Sequence, residues 1–173
     1  VERFRRRMAG RDAALLVTSD LGRTQTTAAS FGGGEPLAEW REFDLGAWDG
    51  LRPEDIRRRY PDIRRERFGS GDFQPEGGER FSEFTERVRG AFDALVGRID
   101  DGEEAIAVTH GGVIQTVVGS IVGAADQSTM LVPSNASLTT IRAFDDRYEE
   151  AEALANLAFL AKLASLANLA NLA

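Results

Sequence analysis

Apolar and polar positions along this chain change period from one segment to the next. Residues 12–19, DAALLVTS, are a short apolar run with a polar end, the pattern of a strand buried on both faces of a parallel sheet. DLGRTQTTAAS (20–30) opens on aspartate, which caps helix N-termini through its side-chain oxygen, and predicts a helix. FGGGEP reads as a loop and PLAEWREF (36–43) as a second strand. RPEDIRRRYPDIRRERF (52–68) has proline near its start and apolar residues at helical spacing, with an interruption at Pro61. The glycine-rich loop GSGDFQPEGGER (69–80) leads into residues 81–99. There Phe81, Phe84, Val88, Phe92, Leu95 and Val96 recur at three- and four-residue intervals and define an amphipathic helix. EAIAVTH (104–110) is a third strand, GVIQTVVGSIVGA (112–124) a helix and SLTTIRAF (137–144) a fourth strand. The opening, VERFRRRMAG, reads as the end of a helix. Strands alternating with helices predict an α/β domain over residues 1–153, with a mainly parallel sheet flanked by helices in three layers.

The pattern changes again in LANLAFLAKLASLANLANLA (154–173), where Leu-Ala-x repeats every three residues. A helix turns about 100° per residue, so this repeat drifts about 60° backwards each time. Asn156, Lys162, Ser165, Asn168 and Asn171 would spiral around such a helix instead of lining one side. Leucine and alanine are strong helix formers, and the tail is expected to be helical, a low-complexity appendage to the domain. Such a helix would reach about 30 Å, but recurring asparagines and Lys162 argue against a membrane span.

Composition narrows the function classes. At 173 residues, 28% charged and 42% hydrophobic, the chain has the balance of one soluble globular domain. A formal net charge of −7 argues against a general nucleic-acid binder, which needs a cationic face. It leaves room for a small phosphorylated ligand held by a few arginines. With no cysteine and one histidine, thiolate chemistry is excluded and a zinc site is disfavoured; no metal or cofactor is expected. The arginine-rich opening lacks the apolar core of a signal peptide, and a cytoplasmic location is expected. The chain starts on Val1, so the natural start is expected to lie upstream.

In parallel sheets, ligands collect where strands end and loops lead into helices. Arg23 follows the first strand, Glu42 ends the second, and His110 ends the third, with Gly111 and Gly112 opening the next helix. Singly, each has an ordinary reading: a solvated helix arginine, a surface pair of Glu42 with Arg41, a structural histidine, a glycine turn. Together, a guanidinium, a carboxyl and an imidazole over a helix N-terminus suit a phosphate ester. A protonated imidazole would add a hydrogen-bond donor, and the glutamate could protonate a leaving oxygen.

TSDLGRTQTTA, REFDLGAWDGL, PEGGERFSEFTERV, AVTHGGVIQTVV and NASLTTI, in that order, resemble the histidine phosphatase superfamily, the phosphoglycerate mutase-like proteins, over roughly residues 12–144. The resemblance implies that family's α/β fold. It implies Arg23 as a phosphate-binding arginine, Glu42 as proton donor, and His110, beside Gly111, as the second histidine holding the phosphoryl group. Glu79 falls on the family's G-G-E glutamate, with no role attached. The family's nucleophile is another histidine, in an R-H-G motif on an N-terminal strand, and nothing in this chain matches it. The implied activity is metal-independent phosphomonoester hydrolysis through phosphohistidine, on a small phosphorylated substrate, with the nucleophilic histidine absent from this chain. The short span between Glu42 and GGER resembles the compact phosphatases more than the mutases. Mutase-type phosphoryl transfer and a non-catalytic phosphoester- or partner-binding module are the alternatives. Since the family's R-H-G strand lies inside the sheet, its absence is expected to leave two buried strand edges unpaired.

Overall fold

The computed structural model describes Met8, residues 10–61, 72–123 and 133–143, and the backbone of 162–168. Its elements are β1 (Leu15–Ser19), α1 (Gly22–Ala29), β2 (Glu35–Leu37), α2 (Pro53–Arg59), α3 (Phe81–Val96), β3 (Glu104–Thr109), α4 (Gly111–Ile121), β4 (Ser137–Ala143) and β5 (Lys162–Asn168), with 3₁₀ turns at Ala38–Trp40 and Gly46–Trp48. The five strands form one sheet in the order β2-β1-β3-β5-β4. β1 runs parallel to β2 and β3, β3 parallel to β5, and only β4 is antiparallel. The mainly parallel sheet flanked by helices is the architecture that the alternating pattern predicts.

β3 is the strand on which the core is built, buried from Ala105 to Thr109. Side chains alternate across a strand, and the core divides accordingly. On one face Val17, Ala105 and Ala107 meet Phe84, Val88, Ala91 and Leu95 of α3 and Val113, Ile114 and Val117 of α4. On the other, Ile106 and Val108 meet Met8 and Ala28, with Leu16, Phe31 and Leu138 packed alongside. Burying each of the larger side chains contributes about 1.5–3 kcal/mol. Helices α3 and α4 arise where their three- and four-residue apolar spacing gives each one stripe for the sheet.

Several local expectations are corrected. PLAEWREF is not a strand throughout: pairing stops at Leu37, and the 3₁₀ turn that follows drops Trp40 into the core, leaving it 1% exposed. Thr109 Oγ1 donates to the Trp40 carbonyl at 2.8 Å, fixing the turn against the end of β3. Glu42 therefore lies on an irregular segment leaving the sheet, not at a strand end. Asp20 does not cap α1; Leu21 holds the cap position without a side-chain bond, because the Asp20 carboxylate is engaged by Arg41. β1 starts at Leu15, later than the apolar run.

The larger correction concerns the tail. Residues Lys162–Asn168, expected to be helical, form β5, inserted between β3 and β4. The physical reason is competition between propensity and pairing. A three-residue repeat offers a helix no apolar stripe to bury, whereas the open edge of β3 offers a row of backbone partners. β3 is consequently paired on both sides, with Ala107 opposite Val17 and Leu166, so the expected bare edge is filled. The opening helix apart from Met8, the second half of the 52–68 helix and the rest of the tail lie outside the described residues.

Candidate active site

β1 and β3 are parallel neighbours with Thr18 opposite Val108, so their carboxyl ends open onto the same edge of the sheet. Thr18 Oγ1 donates to the Val108 carbonyl at 3.3 Å, and Thr24 Oγ1 donates to the Ser19 carbonyl at 2.8 Å, drawing the start of α1 onto that edge. His110 leaves β3 with extended backbone (φ −121°, ψ 169°) and occupies the N-cap position of α4. Its side chain is fully buried, and neither Nδ1 nor Nε2 has a hydrogen-bond partner among the described residues. Burial lowers its pKa from 6.5 to about 4; the charges of Arg23 and Arg87 push the same way, and Asp20 opposes them. At neutral pH the imidazole is uncharged and offers one N–H donor, not the two of a protonated ring.

Glu42 meets the start of α4. Its Oε2 accepts the Gly112 N–H at 3.0 Å and its Oε1 accepts the N–H of Phe43 at 3.0 Å. A carboxylate at a helix N-terminus meets both an unpaired donor and the favourable end of the helix dipole. Gly112 is required by this approach, since a Cβ there would run into the Glu42 carboxylate. Beneath Glu42, Phe43 is held edge-on by Phe73 and Phe81, with ring centroids 5.6 and 5.9 Å away, and contacts Phe84 at 5.3 Å.

The glycines of REFDLGAWDG and PEGGER have a shared explanation. Ala47 N–H donates to the Glu76 carbonyl at 2.8 Å and Glu79 N–H to the Asp44 carbonyl at 3.1 Å, so the two loops lie backbone against backbone. A side chain at Gly46 (φ +47°) or Gly78 would collide with the other loop's backbone.

Arg23 is the second residue of α1 and is exposed. Its charge reaches His110, although it makes no hydrogen bond to His110 or Glu42 among the described residues. Gly111 is the first residue of α4, half-buried beside His110. Arg41 closes the near side by forking onto Asp20, Nε to Oδ1 and Nη2 to Oδ2, both 2.6 Å, which holds the Asp20 carboxyl below its ordinary pKa. The structure thus joins Glu42 to the His110–Gly112 segment directly and sets Arg23 beside them.

Two residues escaped the sequence reading. Asp20 reads as a helix cap but pairs with Arg41, and Arg87, on α3, pairs with Glu79. Arg87 carried a legible signal: it lies among Phe84, Val88, Ala91 and Leu95, a cation on the stripe that α3 turns to the core. Among the described residues no group of three or more histidine, aspartate or glutamate side chains is gathered as metal ligands would be, and no helix is long and apolar enough to cross a membrane.

A helix-flanked, mainly parallel sheet with this arrangement at its carboxyl edge is a phosphoglycerate mutase-like fold. The chain belongs to the histidine phosphatase superfamily, branch 1, whose family model matches residues 1–156. It is 28% identical over 127 residues to the glucosyl-3-phosphoglycerate phosphatase of Mycolicibacterium vanbaalenii, covering 67% of this chain and 56% of that protein. It is 31% identical over 116 residues to the Cronobacter sakazakii protein designated "Probable phosphoglycerate mutase GpmB", covering 62% of this chain and 53% of that protein. The aligned regions therefore span a little over half the length of these relatives. Among solved structures, a mycobacterial glucosyl-3-phosphoglycerate phosphatase in complex with inorganic phosphate aligns with a TM-score of 0.63 at 26% identity, over 77% of this chain and 72% of that one.

Proposed function

We propose that this chain supplies the phosphate-holding and proton-donating part of a phosphomonoester hydrolase. The observation that carries the reading is the Glu42 carboxylate seated on the N-terminus of α4 beside a fully buried imidazole with both nitrogens unpartnered among the described residues. A phosphoryl group at this edge would receive the guanidinium of Arg23, one N–H from neutral His110 and the backbone donor of Gly111, the Gly112 N–H being held by Glu42. These are donors for the charge that grows on the equatorial oxygens during transfer.

Glu42 would act at the leaving group. As the P–O bond to the substrate breaks, a proton passes from the Glu42 carboxyl to the departing oxygen. In the second half-reaction the carboxylate takes a proton from water as that water attacks phosphorus and the P–N bond to the nucleophilic imidazole breaks, its electron pair returning to the ring nitrogen. A phosphohistidine intermediate requires a second imidazole in line with the scissile bond. His110 is the only histidine of this sequence, so the nucleophile is not among these residues. The route needs no metal. The phosphatase among the relatives and the short span from Glu42 to the GGER loop favour hydrolysis over mutase-type transfer.

The test is phosphate binding by this chain, followed by ³¹P line broadening of inorganic phosphate. Arg23→Ala and His110→Ala should each weaken binding about tenfold, or ~1.4 kcal/mol. Binding unchanged in both variants would remove the assignment.

A further inference from the structure

We propose that Glu79 and Arg87 are positioning residues that set Glu42 against the N-terminus of α4. The inference rests on the reading of Glu42 as proton donor and adds the machinery that aims it. Arg87 Nε donates to Glu79 Oε1 at 2.8 Å and Nη2 to Glu79 Oε2 at 2.7 Å, a two-pronged pair that fixes the plane of the guanidinium. The remaining nitrogen, Nη1, then points at the segment carrying Glu42. It donates to the Glu39 carbonyl at 2.8 Å and to the Arg41 carbonyl at 3.2 Å. Glu79 grips the same segment from the other side, its N–H donating to the Asp44 carbonyl at 3.1 Å.

Residue 42 is thereby bracketed: carbonyls at 39 and 41 are held before it and the carbonyl at 44 after it. This matters because the segment is neither helix nor strand between residues 41 and 45, and no ladder fixes it. The Phe84 ring, 5.3 Å from the guanidinium carbon, supports Arg87 from its own helix. Both partners are largely shielded, with side-chain exposures of 24% and 18%. Pairs of this kind are a weak source of net stability compared with apolar residues of the same volume, so geometry is the better account of a cation on the core stripe. Lysine cannot replace it, because a single ammonium cannot hold a carboxylate in a fork and reach two carbonyls.

The experiment uses the ¹⁵N-labelled chain and reads the Gly112 amide, which reports the Glu42 contact without any need for turnover. Glu42→Gln is introduced into wild type, into Glu79→Gln and into Arg87→Lys, and the change it causes in the Gly112 amide shift is compared. In wild type the change is large. In each variant background it should shrink roughly threefold or more, the signature of coupled residues in a double-mutant cycle. Protected β3 amides show that the fold is intact; if one variant fails this control, the other decides the outcome. An undiminished Gly112 response in a folded variant overturns the proposal. Failure of the wild-type chain to bind inorganic phosphate would instead overturn the phosphate-site reading, leaving the Gly112 comparison to judge the positioning by itself.

Discussion

The imidazole of His110 shows how much a single environment can change a residue. Its pKa lies near 4 in the folded chain against 6.5 unperturbed, mainly because it is buried. Between these values the unfolded chain binds the proton that the folded chain refuses, so stability rises with pH across the window. The effect is fully present above about pH 6.5 and is lost as pH falls towards 4, on the order of 3 kcal/mol in total. Urea unfolding at a series of pH values should show this slope, and His110→Gln should flatten it. As the chain has one histidine, its ring resonance is unambiguous and should titrate near 4. Gly112 offers a complementary test. Gly112→Ala drives the Glu42 carboxylate away from its amide partner and should cost about 1 kcal/mol, seen as a fall of a few degrees in Tm.

At the scale of elements, the site depends on how β3 and α3 hold the irregular 38–45 segment. The Thr109 hydroxyl is the link from β3, and Thr109→Val would leave the Trp40 carbonyl without that donor, costing about 1–3 kcal/mol by chemical denaturation. Phe84→Ala would remove a fully buried ring beneath both Phe43 and Arg87, costing about 3–5 kcal/mol. Most regular elements were legible before the structure. β3 reads as a strand because its apolar run is buried on both faces, and α3 because its aromatic stripe has helical period. The path of Glu42 was not legible. Apolar spacing in PLAEWREF fits a strand, and only the need to bury Trp40 while meeting Thr109 forces the 3₁₀ turn. A cation on the α3 stripe shows in the sequence, but what Arg87 holds does not, since its targets are backbone carbonyls more than forty positions away, which leave no trace in side-chain pattern.

For the whole molecule, β5 decides how much of the sheet is joined. β4 pairs only with β5 among the described residues, so the hydrogen-bonded ladder joins β4 to β3 through residues 162–168, with Leu138 packed beside Ile106 and Val108. Ending the chain after residue 153 should detach β4 and bare the second edge of β3. Hydrogen exchange should then quicken at the β3 amides on that side, and the protein should self-associate more readily. The motifs in their order made the family and the face of the sheet legible. They could not show which segment completes the ladder beside β3, because pairing depends on which strand edge is left open, not on local propensity.

The bond between Glu42 and the Gly112 amide carries a consequence for any incoming anion. On the proposed reading, phosphate would enter beside a carboxylate that already holds the Gly112 donor, and two acidic groups at one helix N-terminus repel. A neutral side chain would remove that repulsion: Glu42→Gln should capture inorganic phosphate about tenfold more tightly, or ~1.4 kcal/mol. Calorimetric titration of the two proteins would reveal the difference.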